Sequence, residues 1–287
     1  MKFFGGARAR KRSCYHGIMT NAPAAIVRRG EGAPILCIHG NGVDHRLLLP
    51  LDEALNEDGR WERIYLNLPG FGGVPPLAPP GGLPDLIDWV DSVVSEEIGS
   101  RKFAILANSL GGLIARELVA RRKSQIYGIA LLAPVVDPRA EHRTLPQREI
   151  LESAPGLLKT LPKVGSYAFA EMAVVQNSEN WERFRDAALP GIRAADRRAM
   201  VQLEADYMVD GPLPEQRFES FEGPTLIVAG RQDHVVGFED QLALSANYPR
   251  ATIAVLDRAG HNVHLDQPSV VAALLHTWQS EALGPWR

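Results

Sequence analysis

Cysteine is scarce in this sequence, and the scarcity removes whole classes of protein. Two occur in 287 residues, Cys14 and Cys37, with no spacing of the kind that ligates a metal or forms a redox pair. A disulfide-stapled scaffold is excluded, and a reducing, cytoplasmic setting is expected. Cys37 lies in the apolar run Ile35-Leu36-Cys37-Ile38 and reads as a small buried hydrophobe. No apolar run is long enough to span a bilayer, so membrane insertion is not expected. An excess of charge of one sign is lacking too: 31 Lys and Arg stand against 34 Asp and Glu, a net charge of -3 that points to neither nucleic acid nor an anionic membrane. Internal repeats and low-complexity tracts are absent.

What is present suits a globular enzyme-sized fold. Hydrophobic residues make up 45% of the chain and charged residues 23%, enough apolar material for a full core without a metal or disulfide framework. A basic cluster, Arg8, Arg10, Lys11 and Arg12, follows a short apolar start. A secretory signal would place its charge first and a longer apolar stretch after it, so the cluster is expected to be a solvated arm.

From residue 34 onward, short apolar runs alternate with amphipathic stretches, the pattern of a mostly parallel sheet with flanking helices. Strands are expected at 35–39, 64–68, 103–107, 129–133, 225–229 and 252–256. Leu86, Trp89, Val90, Val93 and Val94 recur at helical spacing behind Pro84, and Leu110, Leu113, Ile114 and Leu118 do the same. A last helix begins at about Pro268 with Val270, Val271, Leu274, Leu275 and Trp278 on one face. Between 135 and 221 strand-like runs vanish, and prolines punctuate Arg-, Glu-, Ala- and Leu-rich stretches. That segment reads as a helical cap inserted between two parts of a core, 1–134 and 222–287.

Four short segments carry chemistry. Ala107-Asn108-Ser109-Leu110-Gly111-Gly112 follows a strand and opens a helix, the placement that lifts a serine hydroxyl out of the backbone. Small residues two before and two after Ser109 make room for so sharp a turn. His39-Gly40-Asn41-Gly42 follows an earlier strand, where glycines let the chain turn an N–H toward that serine. The expected oxyanion hole is the Leu110 N–H at a helix N-terminus together with the Asn41 N–H. Asp233, in Gly230-Arg231-Gln232-Asp233, follows a strand and can orient an imidazole. Asp137, just past another strand, is the alternative acid. His261, in Ala259-Gly260-His261, is placed as general base. His45 and His264 read as flank and surface residues. The order serine, aspartate, histidine, each after a different strand, is the order known for one fold, and the combination is far more specific than any single member.

On these segments, with Pro69-Gly70-Phe71-Gly72 and Asp266-Gln267-Pro268, the chain resembles the α/β-hydrolase superfamily over roughly 33–134 and 222–282. It departs from the common pattern at Ala107, where glycine is usual, and at Asn67, where aspartate is common. Asn108-Ser109 also resembles the carbon–carbon hydrolases of that superfamily. Those, however, usually carry a proline in the loop after the first strand and a tryptophan after the histidine, where this chain has Gly40-Asn41-Gly42-Val43 and Asn262. Serine at 109 also argues against dehalogenases and epoxide hydrolases, which place aspartate there. The resemblance implies an α/β fold with a cap and a serine hydrolase acting on a small-molecule carboxylic ester, without metal or organic cofactor. The competing expectations are carbon–carbon cleavage of a vinylogous diketo acid and a ligand-binding protein with little turnover.

Overall fold

The computed structural model describes residues 25–284; the basic cluster at 8–12 and Cys14 lie outside the described residues. Among the described residues seven strands form one sheet: β1 (Ile26–Arg29), β2 (Ala33–Ile38), β3 (Trp61–Leu66), β4 (Phe103–Asn108), β5 (Ile126–Leu132), β6 (Thr225–Gly230) and β7 (Ala251–Leu256). Their spatial order is β1-β3-β2-β4-β5-β6-β7, and every neighbouring pair is parallel except β1 with β3. All six expected strands are there. β1 is the addition. Its sequence, Ile-Val-Arg-Arg, is only half apolar because it is an edge strand with two exposed arginines. β3 starts at Trp61, before the expected 64, because a buried Trp61 pairs in register with Ala33.

The helices in chain order are α1 (Asp52–Asn56), α2 (Leu83–Val93), α3 (Leu110–Arg122), α4 (Pro155–Thr160), α5 (Lys163–Met172), α6 (Ser178–Ala187), α7 (Leu189–Ala194), α8 (Arg197–Ala205), α9 (Glu239–Ala243), α10 (Val263–Asp266) and α11 (Pro268–Leu283). Because strand side chains alternate between faces, the central strands feed two separate cores. Leu36, Ile38, Ile105 and Leu131 face the layer holding α2 and α3. Ile35, Cys37, Leu106 and Leu132 face the layer holding α1 and α11. The free thiol of Cys37 is fully buried there, as expected.

Helices α4 to α8 all lie between β5 and β6; α4 to α7 share a smaller cluster built on Phe169, Trp181, Phe184 and Leu189, whereas α8 packs on the main core through Leu203. Leu47, from the loop after β2, and Leu265, in α10, complete that cluster, so this insert rests on the carboxyl edge of the sheet. The chain leaves the core and returns to it under one cation. Arg116, fully buried on α3, donates to the carbonyls of Val135 (2.7 Å) and Val136 (3.0 Å), where the insert begins. It also pairs with the carboxylate of Glu215 on the returning 3-10 turn (Nε to Oε1, 2.6 Å), which Tyr248 Oη joins at 2.8 Å. A buried cation is tolerated only with its counter-ion in place. Glu215→Ala is therefore expected to destabilise the fold by about 3–5 kcal/mol in chemical denaturation, whereas Arg121→Ala, at a partly exposed ion pair with Asp88, should cost about 1 kcal/mol or less.

Candidate active site

After β2 the chain runs to β3 on one side, and β4 then forms on the other, so strand order reverses between β2 and β4. In such sheets the crevice beyond the carboxyl ends at this reversal is where ligands are handled. Register puts Ile38 beside Ala107, Asn108 beside Leu132 and Gly230 beside Leu256. The loops following all these ends therefore emerge together.

Ser109 occupies the turn between β4 and α3 with φ 53° and ψ -117°, a conformation that L-residues rarely adopt. Its backbone is held on every side. The Ser109 N–H donates to Leu132 O (3.1 Å), and its carbonyl accepts from Gly112 N–H (2.9 Å) and Val135 N–H (3.0 Å). The glycines follow from crowding: a Cβ at Gly111 would lie 2.3 Å from Ile38 O, and one at Gly40 would lie 3.0 Å from Ser109 Cβ. The Asn108 side chain turns into the sheet, its Nδ2 donating to Leu132 O at 3.0 Å.

Ser109 Oγ lies 2.8 Å from His261 Nε2, and His261 Nδ1 lies 2.9 Å from Asp233 Oδ2. All three residues are buried, Asp233 completely. The other oxygen of Asp233 accepts from Val235 N–H (2.9 Å) and Val236 N–H (3.1 Å), which fixes the carboxylate. Its pairing with Nδ1 makes that nitrogen the donor and leaves Nε2 to accept from the serine hydroxyl. Gln232 ties the two loops together, accepting from Ala259 N–H at 3.2 Å and donating to Asp257 Oδ1 at 2.8 Å.

The structure brings residues 109, 233 and 261 together and leaves Asp137 apart. Asp137 is engaged by Arg139 and His142, and the Arg139 bond holds its carboxyl down to about 2. Leu110 opens α3, and Gly40 is buried against Ser109, with Asn41 next and exposed. His39 governs that loop. Its Nε2 accepts from Leu68 N–H (3.0 Å), so its Nδ1 carries the proton and donates to Gly40 O (2.7 Å). Across a planar trans peptide the Asn41 N–H then points away from His39. Burial pushes the His39 ring down to about 4, which keeps it neutral in this role.

One expectation about a histidine is overturned. His264 is fully buried rather than on the surface, its Nε2 bonded to Leu47 O at 2.9 Å, because it projects from α10 under the insert. His45 is half-buried and bonded through Nδ1 to Asn67 Oδ1 at 2.8 Å, so Asn67 serves the loop after β2. His39, Gln232 and Asp266 escaped the sequence reading as supporting residues. Each stands inside or beside a recognised segment, but its partner comes from a distant one. Among the described residues no group of three or more His, Cys, Asp or Glu side chains could hold a metal, and no helix is long and apolar enough to cross a membrane.

Comparison with known proteins adds an independent line. A family described as the alpha/beta hydrolase family matches residues 35–274. The chain is 37% identical over 109 residues to a pimeloyl-acyl-carrier-protein methyl ester esterase of Shewanella sp. (strain MR-7), a match covering 38% of this chain and only 37% of that protein. It is 24% identical over 260 residues to a 2-hydroxymuconate semialdehyde hydrolase of Pseudomonas putida, covering 88% of this chain and 89% of that one. The crystal structure of an alpha/beta superfamily hydrolase from Oenococcus oeni PSU-1 superposes with a TM-score of 0.82 at 27% identity, over 90% of this chain and 96% of the other.

The buried histidines set a pH dependence of stability. Burial pushes His264 down to about 4 from the ordinary 6.5, so the neutral ring's contribution is complete above pH 6.5 and is lost as pH falls toward 4. His264→Gln removes that proton uptake. Between about pH 6 and 4.5 its unfolding free energy should fall less steeply than the wild type's, by about 1.4 kcal/mol per pH unit, as read from denaturant titrations at several pH values.

Proposed function

The chain belongs to the alpha/beta hydrolase family, and on that premise we propose that it is a serine hydrolase cleaving a small or medium carboxylic ester through an acyl-enzyme. The observation that carries this reading is the hydrogen-bonded chain from Ser109 Oγ through His261 to Asp233. Ser109 Oγ attacks the ester carbonyl carbon while His261 Nε2 takes the hydroxyl proton. Asp233 holds the ring in the required tautomer and stabilises the imidazolium. The Leu110 and Asn41 N–H groups receive the oxyanion that develops on the carbonyl oxygen. When the tetrahedral intermediate collapses, the bond to the alcohol oxygen breaks and the His261 proton passes to it. A water molecule, giving its proton to His261, then attacks the acyl carbon. The acid leaves, and the proton returns to Ser109.

The segment 135–221 is, on this reading, a cap between two parts of the hydrolase core, and its helices form the acyl- or alcohol-binding wall. A cytoplasmic location is our reading of the cysteine usage, with a buried thiol at Cys37 and no disulfide among the described residues. Carbon–carbon cleavage is the second reading. It is favoured by Asn108 before the nucleophile and by the likeness, over most of the chain, to a semialdehyde hydrolase. Against it, the Asn108 amide is bonded to the sheet.

Labelling with a fluorophosphonate should modify Ser109 alone, and turnover of a short-chain nitrophenyl ester should fall about 10⁴-fold or more in Ser109→Ala. A native wild type that is neither labelled nor active would overturn the enzymatic reading and favour a binding protein. Run beside that control, a panel of esters and vinylogous diketo acids separates ester hydrolysis from carbon–carbon cleavage: Ser109-dependent turnover confined to the diketo acids would sink the ester assignment.

A further inference from the structure

The loop that carries His261 is fastened to the insert by a carboxylate that the mechanism above does not use. Asp266, the last residue of α10, accepts from the Gly260 N–H through Oδ2 at 2.8 Å, one residue before His261. Its other oxygen receives Asn180 Nδ2 of α6 at 3.4 Å, and the same amide donates to Val175 O at 3.0 Å. Arg183, one turn further along α6, bonds to Asn180 Oδ1 and donates through Nε to Leu265 O at 2.6 Å. Gly260 itself is pressed under the insert, where a Cβ would lie 2.8 Å from Val174 Cγ2. Bonds thus run without interruption from α6 through Asp266 to the amide beside His261.

We propose that ionised Asp266 is a positioning residue for His261, locking the histidine loop to helix α6 so that the base is aligned only while the insert is docked; this rests on the reading of His261 as general base. Two effects act in one direction. A bond from an N–H to a carboxylate is about twice as strong as one to a neutral acid, so loss of the charge loosens the Gly260 anchor. The charge also favours the imidazolium that His261 becomes during the reaction. The charged groups facing Asp266 are Arg183 from α6, with Asp233 and His261 from the loops beneath. Asp266 as a residue keeps some surface, but its carboxyl is turned inward, and burial pushes it up to about 7 against the opposing Gly260 bond and Arg183. The anchor therefore titrates near neutrality.

The experiment is the pH profile of kcat and KM for a Ser109-dependent ester in the wild type, Asp266→Asn and Arg183→Gln. In Asp266→Asn we expect kcat to drop about tenfold at about pH 8.5 with little change in KM, and the deficit to shrink to within about twofold at about pH 5.5, where the wild-type carboxyl is itself neutral. Arg183→Gln, on the insert surface, removes a neighbour that favours the ionised form and should move the acid limb to higher pH. A loss in Asp266→Asn that is equal at both pH values, or no loss, overturns the proposal. If that variant fails to fold, an unmoved limb in Arg183→Gln overturns it. A wild type with no Ser109-dependent turnover overturns the hydrolase reading and this inference together, whereas Ser109-dependent turnover with flat variant ratios overturns this inference alone.

Discussion

A serine held at φ 53° and ψ -117° sits in backbone that costs on the order of 1–3 kcal/mol, and such a conformation persists only where its surroundings over-determine it. Around Ser109 they do. The preceding strand is buried between β2 and β5, the serine N–H and carbonyl are bonded to the neighbouring strand and its exit loop, and α3 begins at once. Gly111 lacks a side chain because the β2 exit backbone passes within touching distance, and Gly40 because the Asn108 and Ser109 side chains do. The position of Ser109 is thus set by the sheet rather than by the side chain, whose hydroxyl is left free to meet His261.

The same sheet edge sorts ionisable groups by burial. Asp233 keeps two backbone N–H bonds and the imidazole, so a fully buried carboxylate remains satisfied. His39 and His264 are fully buried, and desolvation pushes both toward neutrality, for His39 against the pull of Asp44, which suits rings bonded to main-chain groups. Asp266 lies between these cases, with one backbone N–H and a long bond to an amide, and its proton affinity rises accordingly.

The insert and the frame beneath it both lie within the stretch matched by the family, residues 35–274. Strands β3 to β7, most of β2, the turn at Ser109 and the loops at 230–233 and 259–261 fall there too, and the superposition on the Oenococcus oeni hydrolase covers most of the chain. Helices α4 to α7 rest on that frame through Leu47 and Leu265, α8 rests on it through Leu203, and the Arg116–Glu215 clasp closes the base of the insert. Specificity on the proposed reading belongs to this layer, because the frame beneath supplies the same reacting groups whatever the acyl chain.

Local pattern determined a good deal. Apolar runs of strand length, helical spacing behind Pro84 and Pro268, and small residues around Ser109 are read from neighbours in sequence, because a strand or turn is built by residues a few positions apart. Hence six strands, the α/β class and the segments bearing Ser109, Asp233 and His261 were legible. Edge strand β1 was not, since half its residues face water and its pairing with β3 supplies what its composition lacks. Nor were the burial of His264, the Arg116 clasp or the bond from Asp266 to Gly260. Only the tertiary structure decided these, and also that Asp233 rather than Asp137 meets the imidazole. The partners stand far apart along the chain, and solvent exclusion, which sets whether a polar side chain is a surface residue or a buried tie, exists only once the layers have closed over it.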